Sequence, residues 1–369
     1  MTGWTKKTLE EVVELRRGFD LPHHSRVPGN YPVLTSGASD GWHNEGPIKG
    51  PGLAIGRATN LGQPTWSESD YWPLNTTLYA ANFHGNLPRW VFHLFEVLDL
   101  TGFDSGSVQP MLNRNYIAKL PITVPPFGDQ VAIAEVLGAL DDKIAVNTAI
   151  SNVTDEYLAT EFDALLLGGS VDVPLATIAN TNELTRKPVD GEKIRYVDIA
   201  AVGVGTHNVP KPIDWDEAPG RARRGFRRGD TLWSTVRPNR RSHSLNLSSD
   251  QDLVGSTGLA VLTPTSVGFA YLYEVTKRLE FTSYLETVAE GSAYPAVRAD
   301  RFGAAQVPLL PETQLNAFES IAAPMREHLH SLSQENIQLA ATRDALLPQL
   351  MSGKLRVRDA ERVLENAGV

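Results

Sequence analysis

A chain of 369 residues is long enough for two domains with sizeable cores, and 41% apolar residues with a mean hydropathy of −0.21 are those of a water-soluble globular protein. The absence of cysteine excludes disulfides and thiolate metal sites. No stretch approaches a membrane span and Met1-Thr-Gly-Trp-Thr-Lys-Lys7 has no apolar signal core, so the expected location is the cytoplasm, with no membrane partner. The net charge of −9 argues, as a sum, against nucleic acid, but the charge is unevenly distributed.

In chain order, residues 1–118 read as a first globule. Residues 8–15 have a short helical pattern. Residues 31–35, 52–56 and 76–80 read as short strands between Gly, Pro, Ser and Asn turns, and residues 89–98 as a helix with one apolar side. Residues 119–168 open on the proline-rich Leu120-Pro-Ile-Thr-Val-Pro-Pro-Phe-Gly-Asp-Gln130, which suits a first helical turn. A long helical pattern follows, stepping through Ile133, Leu137, Leu140, Ile144, Asn147, Ser151, Thr154, Leu158, Glu161 and Leu165. Eight acids (Asp129, Glu135, Asp141, Asp142, Asp155, Glu156, Glu161, Asp163) face Lys143 alone on this segment. That is either a solvated face or a docking surface for a basic partner, with Asp141, Asp142, Asp155 and Glu156 as candidate partner-binding residues.

Residues 167–172 have linker composition, and residues 169–303 read as a second globule. Its Leu175-Ala-Thr-Ile178 sits where Leu9-Glu-Glu-Val12 sat in the first. Residues 194–199, 231–236 and 259–262 read as strands and 269–288 as mostly helical. Residues 304–369 repeat the proline-led long helix, stepping three and four through Leu315, Phe318, Ala322, Met325, Leu329, Leu332, Asn336, Leu339, Arg343, Leu346 and Leu350. Phe162-Asp-Ala-Leu-Leu166 matches Arg343-Asp-Ala-Leu-Leu347, and Gly106-Ser-x-x-Pro110 matches Gly291-Ser-x-x-Pro295. The expected fold is α+β: two mixed α/β globules and two long antiparallel helices in a pseudo-two-fold internal repeat. Three further expectations follow. Pro324 should break the second long helix, Asn147 and Asn336 should sit in the helical seam, and Gly353 should lie near residues 5–9.

Gly220-Arg-Ala-Arg-Arg-Gly-Phe-Arg-Arg-Gly229 is the densest basic patch, and Arg237-Pro-Asn-Arg-Arg241 lies a short strand downstream. Arginine's planar fork suits phosphate oxygens and guanine edges, so Arg221, Arg223, Arg224, Arg227, Arg228, Arg237, Arg240 and Arg241 are the candidate DNA-binding residues, with Arg57 in the first globule. The bland reading is a solvated loop. Val124-Pro-Pro-Phe127 is similar to an amino-methyltransferase motif, but valine replaces the polar residue that would hold the amine. Gly203-Val-Gly205 lacks the third glycine and following helix of a dinucleotide fingerprint, and the acids of Pro188-Val-Asp-Gly-Glu-Lys193 are too crowded for a nuclease centre. The histidines show no metal-site spacing. No catalytic residue and no metal ligand is assigned.

With these residues in view, the chain resembles the specificity subunit of type I restriction–modification systems. The resemblance is carried by Pro-Pro-x-x-Asp-Gln130 with Leu140-Asp-Asp-Lys-Ile144 and Asn147, and by Leu339-x-x-x-Arg-Asp-x-Leu-Leu-Pro-x-Leu-x-Ser-Gly353. Gly229-Asp-Thr-Leu-Trp-Ser-Thr-Val-Arg-Pro238, Gly52-x-x-Ile-Gly-Arg57 and Trp72-Pro-Leu-Asn-Thr-Thr-Leu-Tyr79 add to it. The resemblance implies a non-catalytic subunit whose two target-recognition domains (1–118 and 169–303) each read half of a split double-stranded DNA site. It implies that the helical regions (119–168 and 304–369) hold two methyltransferase subunits, that restriction/translocase subunits join them, and that S-adenosylmethionine, ATP and Mg2+ act on those partners. A coiled-coil adaptor that binds proteins, and the specificity subunit of a fused restriction–methylation system, are the alternatives.

Overall fold

The computed structural model describes residues 3–58, 60–105 and 111–367, so the motif Gly106-Ser-x-x-Pro110 lies outside the described residues. The chain divides into two compact units, Met1–Val146 with Glu335–Val369, and Asn147–Gln334. Each holds one globule and one half of each long helix.

The first globule runs β1 (Thr5–Thr8), α1 (Leu9–Val12), β2 (Glu14–Arg17), β3 (Tyr31–Thr35), β4 (Ala38–His43), β5 (Gly52–Gly56), β6 (Pro64–Ser67), β7 (Trp72–Pro73) and β8 (Thr77–Asn82). It continues through α2 (Pro88–Val97), β9 (Asp104–Ser105), β10 (Met111–Leu112), α3 (Arg114–Ile117) and β11 (Pro121–Val124) into the 41-residue helix α4 (Phe127–Leu167). The second runs β12 (Val171–Pro174), β13 (Ala179–Thr181), β14 (Lys193–Val197), β15 (Ile213–Asp214), β16 (Ala222–Gly225), β17 (Thr231–Ser234), β18 (His243–Leu245), β19 (Leu253–Ser256) and β20 (Leu259–Pro264). Then come α5 (Phe269–Lys277), α6 (Leu279–Val288), α7 (Ala299–Ala304), β21 (Gln306–Leu309), the 40-residue α8 (Glu312–Met351) and α9 (Val357–Ala367). No described helix is long and apolar enough to cross a membrane.

The repeat is legible in the sheets. One antiparallel sheet has the order β2-β8-β5-β6 in the first unit and β13-β20-β17-β18 in the second. A second sheet is built on a parallel pair in each, β3 with β7 and β14 with β19. Each globule is closed by a two-stranded antiparallel clip at the foot of the long helix that follows it: β1 on β11, and β12 on β21. Just inside each clip one backbone bond recurs, Leu9 N–H to Leu120 O at 2.9 Å and Leu175 N–H to Ala305 O at 2.8 Å.

Clip pairing explains two departures from the sequence reading. The helical pattern of residues 8–15 survives as a single turn, because the residues before and after it pair with β11 and β8. The expected linker at 167–172 is shorter, because Val171 already pairs with Leu309. Pro324 does not break α8. It is exposed on the helix, where the carbonyl it frees can turn to water, while buried Phe318, Ala322 and Arg326 fix the helix on either side. Gln306–Leu309 and Pro121–Val124 enter their helices as expected.

Seam positions of both helices are buried within each unit. Ile133, Leu137 and Leu140 join Leu339, Leu346 and Leu350 in the first core, and Leu158 and Phe162 join Leu315, Phe318 and Ala322 in the second. Phe162 takes the seam place expected of the exposed Glu161, and the last one, Leu165, packs partly buried against the second core. Asn147 is buried and Asn336 half-buried. The first core also includes Leu9, Leu350, Met351 and Ala360, so the start of the chain and the end of α8 contribute to one core. Each large side chain so buried contributes about 1.5–3 kcal/mol.

Within each unit the helix halves run antiparallel and are locked at the fifteenth residue of the helix that starts there. In the first unit this is Asp141, whose carboxylate accepts from Arg89 of α2 at 3.0 Å and Arg343 of α8 at 2.9 Å. In the second it is Arg326, which donates to Asp155 of α4 at 2.6 Å and to the buried Glu274 of α5. Lys277 joins both acids at 2.8 and 3.0 Å. The start of the globule's main helix is also held in each unit. The Gln130 amide oxygen accepts from Leu87 N–H at 2.9 Å, ahead of Pro88 at the head of α2. Both Glu319 oxygens accept from α5, from Ala270 N–H at 3.1 Å and Tyr271 N–H at 2.9 Å. A Cβ on Gly268 would fall 1.9 Å from the Glu319 carboxyl carbon, so a larger residue there would push the carboxylate off its cap.

Candidate nucleic-acid interface

The arginine-rich stretch of the second unit folds as β16, a turn, β17 and a second turn. β16 pairs antiparallel with β19, with its register shifted between Ala222 and Arg224, a bulge that re-aims the side chains between them. After β17 the chain enters a 3-10 turn at Pro238–Arg240. The two residues flanking it, Arg237 (φ 53°, ψ 63°) and Arg241 (φ 54°, ψ 30°), are both left-handed. Non-glycine residues in this region cost on the order of 1 kcal/mol each and cluster where function over-determines the backbone. Here the turn is fixed by Arg237 N–H to Pro295 O at 2.7 Å and Arg241 N–H to Pro238 O at 2.8 Å.

The structure sorts the candidate arginines by what already occupies their donors. Arg227 binds Glu183 at 3.1 Å, and Arg228 binds Glu327 and the Leu247 carbonyl. Arg241 donates to Lys277 O at 2.7 Å, and Arg223 to the Ala222 carbonyl at 2.8 Å. Arg224 is half-buried, and burial lowers its pKa from the ordinary guanidinium value. Arg221, Arg237 and Arg240 have no acceptor among the described residues. They line one cavity of about 480 Å³ with Tyr196, Asp198 and Tyr294. The Arg237 guanidinium lies over the Tyr294 ring, 4.7 Å from its centroid. A second groove, of about 530 Å³, is lined by Arg186, Arg227 and Arg228. All three of its arginines are ion-paired, Arg186 to Glu192 at 2.5 Å. The electropositive, unsatisfied concavity is therefore the first of the two.

Arg57 occupies the corresponding place in the first unit. It follows β5, as Arg237 follows β17, and its carbonyl accepts from Leu112 N–H at 2.8 Å. Burial, and then the like charge of Arg17, hold its pKa below the ordinary value. Arg114 donates to the carbonyl of Leu15, on the strand that carries Arg17, at 3.2 Å. Arg17 and Arg114 escape a sequence reading because they are far apart in the chain and stand in no dense patch. Tyr294 was missed for another reason: it lies within Gly291-Ser-x-x-Pro295, which marks the repeat but carries no charge.

The acidic candidates on α4 divide likewise. Asp141 and Asp155 take part in the internal locks. Asp142 and Glu156 remain exposed. Burial by itself would raise the Asp155 carboxyl, but the charges of Arg326 and Lys277 outweigh it and hold it below its ordinary value. Beside Glu156, the apolar Ile150, Val153 and Tyr157 stand exposed at helical spacing, Val153 at 68%.

Comparison with known proteins bears on this arrangement. The family model described as "Type I restriction modification DNA specificity domain" matches residues 1–154. Among curated proteins, the type I restriction enzyme EcoprrI specificity subunit of Escherichia coli is 25% identical over 154 residues, 40% of this chain and 38% of that protein. The match therefore spans less than two-fifths of the relative. Among solved structures, the S subunit of a type I restriction–modification system from M. genitalium aligns over 94% of this chain and 96% of that one, with a TM-score of 0.63 and 16% identity. The family match covers one half of the repeat and the fold match covers both. Residues 1–154 are thus similar to the type I restriction modification DNA specificity domain, and over nearly its whole length the chain shares the fold of the M. genitalium S subunit.

Proposed function

We propose that this chain is the DNA-reading, non-catalytic subunit of a type I restriction–modification complex, and that each unit reads one half of a bipartite double-stranded site. The observation that carries the reading is the trio Arg221, Arg237 and Arg240, which line one concavity and have no acceptor among the described residues. Guanidinium groups held this way suit phosphate oxygens and base edges. Arg17, Arg57 and Arg114 supply the corresponding positive face of the first unit.

In this reading the complex works in the cytoplasm. Two methyltransferase subunits dock on the long helices, restriction/translocase subunits join them, and S-adenosylmethionine, ATP and Mg2+ act on those partners. The exposed Ile150, Val153 and Tyr157 with Glu156 support docking, since an apolar strip edged by acid is poorly served by water alone.

Fluorescence anisotropy of the full chain with mixed-sequence duplex DNA tests the reading. Alanine at Arg221, Arg237 and Arg240 together is expected to weaken binding at least ~10-fold and to flatten the log-affinity against log-salt slope by roughly 1–3 units. Alanine at Arg227 and Arg228 is expected to do less. Unchanged affinity and slope in the first variant would reduce the cavity to a solvated loop. Sequencing the methylated adenines in cells carrying the system would then give the two half-sites.

A further inference from the structure

We infer that Arg237 is a guanine reader, and that the half-site of the second unit contains a G·C pair recognised in the major groove by Arg237 with Asp198. The inference rests on the DNA-recognition reading above and adds the base to it.

Arg237 is held at every level. Its backbone is held in the left-handed region, against the extended bias that Pro238 imposes on the residue before it, by the bond to Pro295 O. Its guanidinium carbon lies over the Tyr294 ring, 4.7 Å from the centroid. A guanidinium that rests on a ring by its face keeps its edge, with parallel N–H donors, free for a partner. A phosphate needs positive charge but no such fixed plane; a base edge does need it. Among the four bases only guanine offers two acceptors side by side in the major groove, N7 and O6. Adenine and thymine set one acceptor beside an amine or a methyl group, and cytosine presents an amine.

Asp198 supplies the other half of the code. It lines the same cavity, no ion pair joins it to Arg237, and one of its oxygens accepts from Ala201 N–H at 2.9 Å. A carboxylate is repelled by phosphate, but its second oxygen is a fitting acceptor for the cytosine N4 amine. Donor fork and acceptor together complement the acceptor, acceptor, donor edge of a G·C pair. Arg221 and Arg240, the other two cations of the cavity, are exposed and lack such a platform, as phosphate contacts can.

The test is selection of bound duplexes from a randomised pool by the full chain, wild type and the variants Arg237→Ala and Arg237→Lys, with thermal unfolding of each variant recorded. In the wild type, one guanine position should be preferred by about tenfold to a hundredfold. Both variants should lose that preference while the rest of the motif persists, which also shows that they are folded. Arg237→Lys keeps the charge and should still lose it. Replacing the guanine by 7-deazaguanine should weaken the wild type and leave Arg237→Ala indifferent. Uniform loss of affinity with an unchanged motif would make Arg237 a phosphate contact and overturn the inference. So would an unchanged motif at unchanged affinity. A wild type that enriches no motif would instead sink the DNA-recognition reading itself.

Discussion

The two units share a frame but not a chemistry, and the difference is clearest at their helix locks. At the fifteenth residue of the starting helix the first unit has an acid between two bases, the second a base between two acids. Depth differs as well. Glu274 is 1% exposed and Arg326 6%, whereas Arg89 and Arg343 are 19% and 26% exposed. The frame thus specifies where charge is neutralised; the sign and the burial are left to each unit.

The largest expected effect exploits that depth. Arg326→Ala leaves the buried Glu274 with Lys277 as its remaining partner and should cost about 3 kcal/mol in chemical denaturation. Asp141→Asn leaves two arginines that can reach water, and should cost about 1–2 kcal/mol. Equal losses would show that burial does not separate the two locks.

The helix caps come next. Gln130 donates to Asn86 Oδ1 at 3.0 Å and Pro125 O at 3.1 Å while its oxygen caps α2. Gln130→Glu would set a carboxylate oxygen against two acceptors in a buried site and should cost about 2–3 kcal/mol. The reverse change, Glu319→Gln, gives up one of two backbone bonds and should cost about 1 kcal/mol at neutral pH. Burial raises the Glu319 carboxyl above its ordinary value despite the bonds from Tyr271 and Ala270. A raised folded value means that the stability linked to this group is fully present below the ordinary glutamate range and is lost as pH rises through the raised one. That slope should be absent from Glu319→Gln, and a variant with the wild-type slope would assign it to another group.

A smaller effect is expected at α4. Neutralising the exposed Asp142 and Glu156 should weaken co-purification with a methyltransferase subunit at moderate salt without changing the melting temperature. The smallest concerns connectivity. Leu350 and Met351 already share a core with Leu9, so a circular permutant opened between Gly168 and Gly169 and joined through the old termini should stay folded. Loss of cooperative unfolding in that permutant would show that the two clips are not interchangeable.

The frame was readable in the sequence because it is periodic: proline starts, three-four steps and the matched Asp-Ala-Leu-Leu endings are local signals. The site was only partly readable. Dense arginine marks a patch, but which donors stay unsatisfied depends on Glu183, Glu327 and the Lys277 carbonyl, 36 to 99 residues distant. Those partners capture Arg227, Arg228 and Arg241 and leave Arg221, Arg237 and Arg240 available. Arg17, Arg57 and Arg114 gather only through strand pairing and backbone bonds, which no local pattern announces. Pro324 misled because its cost depends on whether it faces solvent, and residue type alone does not say.

The inverted locks also govern which halves of the protein can accept one another. At its fifteenth residue the helix of the first half presents an acid to two bases, and that of the second a base to two acids. Arginine at Asp141 would face Arg89 and Arg343, and aspartate at Arg326 would face Asp155 and Glu274, so each exchange opposes like charges at a partly buried point. The halves therefore carry a polarity, like plug and socket, and a half exchanged between related chains would fit only where that polarity is kept.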